Sequence, residues 1–197
     1  MKNEDYDKKG TALDHFIVET QTEFFGLCDD IIEAFDKSKN TFDGLQSSGS
    51  NNNVKNSTDQ GLGSLVNNDI MDKYVEMNLK YIRIYLDKCV SDATGKNMFG
   101  VPDFTFINPS VQKYKQNEGH FIKEHFDGDG KDSFLVSILY LNDVVEGGET
   151  EFPEFGIKVK PKKAKLVQFP AFFTHKHKGL IPISGDKYII TWYTKMK

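Results

Sequence analysis

Arginine is almost missing from this chain. Of its 25 basic residues only Arg83 is an arginine, so the planar guanidinium fork that grips phosphate and carboxylate in pairs is scarce. Positive charge is also the minority sign: 25 basic residues against 29 acidic ones give a formal charge of −4. That balance argues against a partner in nucleic acid, which asks for a basic face. Cysteine is scarce as well, with two in 197 residues. Cys28 and Cys89 both sit in helix-like apolar patterns, and we read them as buried thiols of a reducing, cytoplasmic setting rather than as a disulfide. The N-terminal stretch is charged and lacks the apolar segment of a secretory signal. Nowhere does an apolar run reach the roughly 18 residues of a membrane span, so no membrane association is expected.

What the chain does have is apolar and aromatic mass, at 38% and 13% of residues, with 16 phenylalanines. This suits one globular domain with a real core. Residues 1–15 are polar and read as loose. Thr20-Gln21-Thr22-Glu23 has the form of a capping box, and Phe24, Cys28, Ile31, Ile32 and Phe35 follow at helical spacing. From 38 to 65 the composition turns to Ser, Asn, Gly and Asp, which reads as a long polar loop, either disordered or facing a substrate. A second helix is expected from a cap at Asn68 to about Val90, its wide apolar face laid on a sheet.

Beyond Gly95 and Gly100 the period changes. Short β-like runs at 104–107, 111–115, 121–125, 134–141, 150–152, 157–159, 166–169, 174–177 and 187–194 are separated by Gly, Pro, Asn and Asp turns. That pattern predicts a sandwich or jelly roll rather than a parallel sheet. The chain thus divides into a helical part over 1–95 and a β core over 100–197.

The candidate chemistry lies in the β part. His125 and Asp127 are two apart and would share one side of an extended chain. Thr174-His175-Lys176-His177 offers a further imidazole. Two histidines and one carboxylate on one side of a metal, with other positions open, is the donor set of non-haem Fe(II) oxygenases. Taken from the residues alone, the third ligand is either His175 or His177, which share strand parity. A calcium loop at Asp127-Gly128-Asp129-Gly130 is excluded, because its sixth position is Asp132 instead of Gly and its twelfth is Ile138 instead of Glu.

Around these residues, Tyr114, Leu139-Tyr140-Leu141-Asn142-Asp143, Glu146-Gly147-Gly148-Glu149-Thr150-Glu151-Phe152, Val159-Lys160-Pro161-Lys162, Phe169-Pro170 and Lys187-Tyr188 fall in one order. With His125-Phe126-Asp127 and His177 they make the C-terminal half resemble the prolyl 4-hydroxylase-like branch of the Fe(II)/2-oxoglutarate-dependent oxygenases. The resemblance implies a double-stranded β-helix (jelly roll) flanked by the two helices. It implies Fe(II) on His125, Asp127 and His177, since the family sets a basic residue ten positions beyond its distal histidine and Lys187 stands ten after His177. It further implies 2-oxoglutarate held at its far carboxylate by Lys187 and Tyr140, with Thr191 and an active-site tyrosine at Tyr114 beside it. The expected reaction couples decarboxylation of 2-oxoglutarate by O2 to hydroxylation of a proline-containing peptide or protein, with ascorbate as an accessory reductant. Hydroxylation of another residue or small molecule, or a cupin-like metal-binding module without turnover, is the alternative. Departures from the family are the eleven-residue step from Tyr114 to His125, Ala164 where a glycine is usual, and a proline displaced to Pro182.

Overall fold

The computed structural model describes residues 15–46, 49–90, 104–127 and 133–196; the leading polar stretch and residues 128–132 after Asp127 lie outside them. In chain order the elements are β1 (Val18–Gln21), α1 (Phe25–Lys37), β2 (Phe42–Asp43), β3 (Leu45–Gln46), β4 (Gly49–Ser50), β5 (Lys55–Asn56), β6 (Thr58–Gly61) and α2 (Asn68–Val90). There follow β7 (Phe104–Tyr114), β8 (His120–His125), β9 (Ser133–Tyr140), β10 (Thr150–Phe152), β11 (Ile157–Val159), β12 (Lys165–Pro170), β13 (His177–Gly179) and β14 (Lys187–Met196). A seven-stranded sheet runs β1-β12-β9-β14-β7-β6-β2, and a five-stranded sheet runs β11-β10-β13-β8-β5. The pairings within both are antiparallel, as a jelly roll requires.

Strand alternation decides which side of the larger sheet each residue serves. Val136, Ile138 and Tyr140 of β9, Val167 and Phe169 of β12 and Ile189 of β14 join Phe152 and Val159 of the smaller sheet in one cluster. Their neighbours Leu139, Leu166, Tyr188, Ile190 and Trp192 pack instead against Leu27, Cys28, Ile31 and Phe35 of α1 and Tyr74, Met77 and Tyr81 of α2. The helices therefore close one face of the larger sheet and the smaller sheet closes the other. No helix among the described residues is long and apolar enough to cross a membrane.

Several expectations are corrected. The capping box does not form: residues 18–21 are strand, α1 begins after Phe24 without a side-chain cap, and Glu23 turns away to pair with Lys80 and Tyr81 of α2. The second helix is capped one residue early, by Asn67 Oδ1 accepting from the Ile70 amide at 3.0 Å. The runs at 104–107 and 111–115 are one strand, β7. The distal histidine strand starts at His177 instead of residue 174. Most consequential, the polar stretch from 38 to 65 is no plain loop. Its β6 pairs with β7 in the larger sheet and its β5 with β8 in the smaller, so it contributes a strand to each.

Ala164 answers the departure noted above. Its φ is +60°, the left-handed region where glycine is the easiest residue. The turn is kept regardless, with the Ala164 amide donating to the Tyr140 carbonyl at 2.9 Å and its own carbonyl accepting from Thr22 at 2.9 Å.

Candidate functional site

His125 is the last residue of β8 and His177 the first of β13, and the antiparallel register sets them opposite each other. Asp127, two residues past His125, completes the cluster: His125 Nε2 lies 3.7 Å from Asp127 Oδ1 and His177 Nε2 lies 3.3 Å from Asp127 Oδ2. One donor atom from each of the three falls within 4.8 Å of the others. Each imidazole donates through Nδ1 to a carbonyl, His125 to Lys123 at 2.8 Å and His177 to His175 at 3.1 Å. A carbonyl can only accept, so Nε2 of each neutral ring keeps its lone pair for the shared point.

Electrostatics favour the same states. Burial, then the neighbouring His177, pushes His125 down to about 4, so it is a neutral ligand at ordinary pH. Asp127 is held below the usual carboxylate range: burial, the largest influence, raises it, and its interactions with His177, His125 and Lys55 together outweigh that. Two imidazole nitrogens and a carboxylate, aimed together, fit a first-row divalent cation. The rings are packed in place: Phe121 stacks on His125 with centroids 3.6 Å apart, and Phe169 stands edge-on to His177 at 4.9 Å.

His175 stays outside the cluster. Its Nε2 bonds the His15 carbonyl at 2.8 Å and its Nδ1 meets Thr174 Oγ1 at 2.9 Å. It serves the site only through the carbonyl that fixes His177.

The triad opens on a cavity of about 1120 Å³ whose wall includes Lys55, Asp59, Tyr114, Thr150, Lys187 and Thr191. Lys187 enters from the first position of β14, opposite Tyr114 on β7. Only 1% exposed, its ammonium donates to the Gly148 carbonyl at 3.0 Å and sits 4.5 Å from the centre of the Tyr114 ring. It forms no ion pair among the described residues, and burial pushes it down to about 7. Thr191 Oγ1, on the same cavity wall, is buried with no hydrogen-bond partner among the described residues. A buried lysine and an orphaned hydroxyl lining one cavity both lack what a carboxylate supplies. The residues present therefore fit an anionic cosubstrate.

Tyr114, whose distance from His125 set it apart from the family, is brought in. Asn117 at φ +62° and a tight turn closed by the Gly119 amide on Lys115 O at 2.7 Å absorb the longer connection. Tyr140 is placed differently from its expected role. Its hydroxyl donates to Thr150 Oγ1 at 2.6 Å, and Thr150 is the one of the two on the cavity wall. The chain turns at Gly147 and Gly148, whose φ are +73° and +75°; a Cβ on Gly147 would meet the Ile181 carbonyl at 2.3 Å. That turn delivers the carbonyl that holds Lys187. Sequence reasoning missed Thr150, Lys55 and Asp59. The last two are charged residues in a polar stretch, and nothing short of the fold marks them as buried.

Comparison with known proteins agrees with this geometry. Residues 109–195 match the 2OG-Fe(II) oxygenase superfamily. A probable prolyl 4-hydroxylase of Arabidopsis thaliana is 32% identical over 100 residues, which is 45% of this chain but 35% of that protein, so the match spans about a third of the relative's length. Among solved structures, a viral collagen prolyl hydroxylase from Paramecium bursaria Chlorella virus-1, in complex with 2OG, aligns over 94% of this chain and 99% of its own, with a TM-score of 0.62 and 21% identity. A Trichoplax adhaerens prolyl hydroxylase bound to a hypoxia inducible factor peptide aligns over 93% and 86%, with a TM-score of 0.72 and 14% identity. A Pseudomonas putida prolyl-4-hydroxylase aligns over 93% and 95%, at 0.68 and 16%. At those identities the structures speak for the double-stranded β-helix fold. The triad on that fold lies within residues 109–195, the stretch that matches the 2OG-Fe(II) oxygenase superfamily.

Proposed function

We propose that the protein is an Fe(II)- and 2-oxoglutarate-dependent hydroxylase acting on peptidyl proline. The observation that carries the reaction class is the pairing of two features in one cavity: a triad of His125, Asp127 and His177, and a buried Lys187 that forms no ion pair among the described residues. His125 Nε2, His177 Nε2 and an Asp127 oxygen would hold iron and leave its other positions open. When bound, iron activates dioxygen against 2-oxoglutarate, which supplies two electrons and leaves as succinate and CO2. Lys187 would clamp the far carboxylate of the cosubstrate by a charge-assisted hydrogen bond. Thr191 Oγ1 gains in that carboxylate the partner it lacks. Tyr114 lends its ring face to the ammonium. Thr150, oriented by the Tyr140 hydroxyl, lines the same wall.

Peptidyl proline as substrate is supported by the relatives above, which are named as prolyl hydroxylases, one of them with a peptide bound. The cavity is much larger than a five-carbon diacid and has room for a substrate side chain beside it. A cytoplasmic setting is supported by both cysteines being free thiols. The deciding experiment is succinate release from 2-oxoglutarate with Fe(II), screened against proline-containing and proline-free peptides. Release stimulated by proline peptides alone is expected. Stimulation by proline-free peptides to the same extent would rule out the substrate assignment.

A further inference from the structure

We propose that the Lys55–Asp59 ion pair is a positioning element for the metal centre, holding Phe121 against the His125 imidazole so that the ring keeps its ligating orientation. The inference rests on the metal-centre reading above and adds to it a role for the segment between the helices. Lys55 Nζ lies 2.7 Å from Asp59 Oδ2, with both side chains about 5% exposed or less. Every other lysine–carboxylate pair among the described residues has at least one side chain a quarter or more exposed. Ion pairs placed so deeply rarely add stability over an apolar pair of similar volume. Stability alone thus gives no reason for this one.

Its location does. Lys55 is paired across β5 and β8 with Phe121, its ammonium 5.7 Å from the centre of that ring. Phe121 in turn lies nearly parallel to His125, at 16° and 3.6 Å between centroids. A rotation of the His125 ring about its Cβ–Cγ bond would have to push Phe121 toward Lys55. Lys55 cannot yield, because Asp59 holds it. Asp59 is itself fixed, accepting from Ser57 Oγ at 2.7 Å. Gly44 backs the arrangement: a Cβ there would lie 2.1 Å from Ser57 Oγ and 3.0 Å from Lys55 Cε. The Gly44 amide also donates to the Ser57 carbonyl at 2.8 Å.

Charge explains why a pair is used and not a lone lysine. An uncompensated ammonium beside a divalent cation would repel it. With Asp59 in place, Lys55 contributes its bulk and its contact with the ring while the pair stays neutral toward the metal.

The test reads metal binding rather than turnover. Co(II) serves as the probe, its visible ligand-field band reporting both affinity and geometry at the triad. Parent protein should bind Co(II) with such a band; a parent that binds none takes the metal-centre reading down with it. Against a binding parent, Lys55→Met/Asp59→Leu should keep its thermal midpoint. It should bind Co(II) about 10-fold more weakly, with an altered band, as expected when a residue that orients a ligand is lost. Phe121→Leu, which leaves the ion pair intact, should show the same loss, and Lys55→Arg should restore parental behaviour. A folded double variant with the parent's affinity and band overturns the proposal. If the double variant does not fold, Phe121→Leu decides alone: weakened binding supports the route through this ring, and parental binding overturns it.

Discussion

Lys187 spends its native life as a buried amine with one carbonyl and one aromatic ring for company. Two consequences follow at the scale of this residue. Replacing it by methionine, which keeps the bulk and removes the charge, should weaken 2-oxoglutarate by about 1.5–3 kcal/mol, or roughly ten- to a hundredfold. Metal affinity should stay at the parental value, because Lys187 is not a ligand. Anaerobic titration of the iron-loaded protein checks both; parental 2-oxoglutarate affinity in Lys187→Met would place the anchor elsewhere. The second consequence concerns pH. Burial holds the free amine at about 7, and a bound carboxylate would draw it back up. Below that value the ammonium is already charged and binding takes up no proton. Above it each binding event must capture one, so affinity should fall about tenfold per pH unit. Calorimetry in buffers of different ionisation enthalpy should show near one proton taken up at pH 8 and almost none at pH 6. The histidines can be separated in the same way: His177→Ala should abolish Co(II) binding, while His175→Ala, which leaves the His175 carbonyl in place, should retain most of it. Loss of metal in His175→Ala with retention in His177→Ala would reverse the assignment.

Among the elements, the β strands of the core were the most legible in the sequence. The spans 150–152 and 157–159 were read to the residue, because short β-branched and aromatic runs there are closed off by Gly and Pro. In β14, Lys187, Ile189 and Thr191 line the cavity while Trp192 packs toward the helices, the alternation an extended chain imposes. Where the reading failed, the cause is specific. In the stretch from 42 to 61 the buried residues among those described are Gly44, Lys55, Ser57, Asp59 and Gln60, which no hydrophobic pattern can reveal. Tyr140 is expected at the cosubstrate from the resemblance, but periodicity gives direction and not depth, so it could not show that this hydroxyl is bonded to Thr150 Oγ1. The correction to the polar stretch makes a prediction of its own. Amides of β6, paired to β7, should exchange slowly with deuterium. Residues 51–53, exposed at the surface, should exchange rapidly. Equal, fast exchange across both would mean that β6 is not held in the sheet.

For the molecule as a whole, the larger sheet is the shared wall between a structural layer and a chemical one. Trp192, 1% exposed, points to the helices and meets Tyr74 of α2 edge-on at 5.4 Å. Trp192→Ala should therefore cost about 3–5 kcal/mol, seen as a lowered urea midpoint with an unchanged slope. Co(II) affinity of the folded fraction should be unaffected, and a parallel loss of metal would show that the two layers are not independent. The strand order carries a last consequence, for behaviour at high concentration. The larger sheet ends on β1 and β2, of four and two residues, and the smaller on β11 and β5, of three and two. Each of these borders carries a charged residue, Glu19, Asp43, Lys158 or Lys55. Edges so short and so charged give a passing chain little backbone to add a strand to, and a protein with this much β-structure is thereby guarded against polymerising through its sheets.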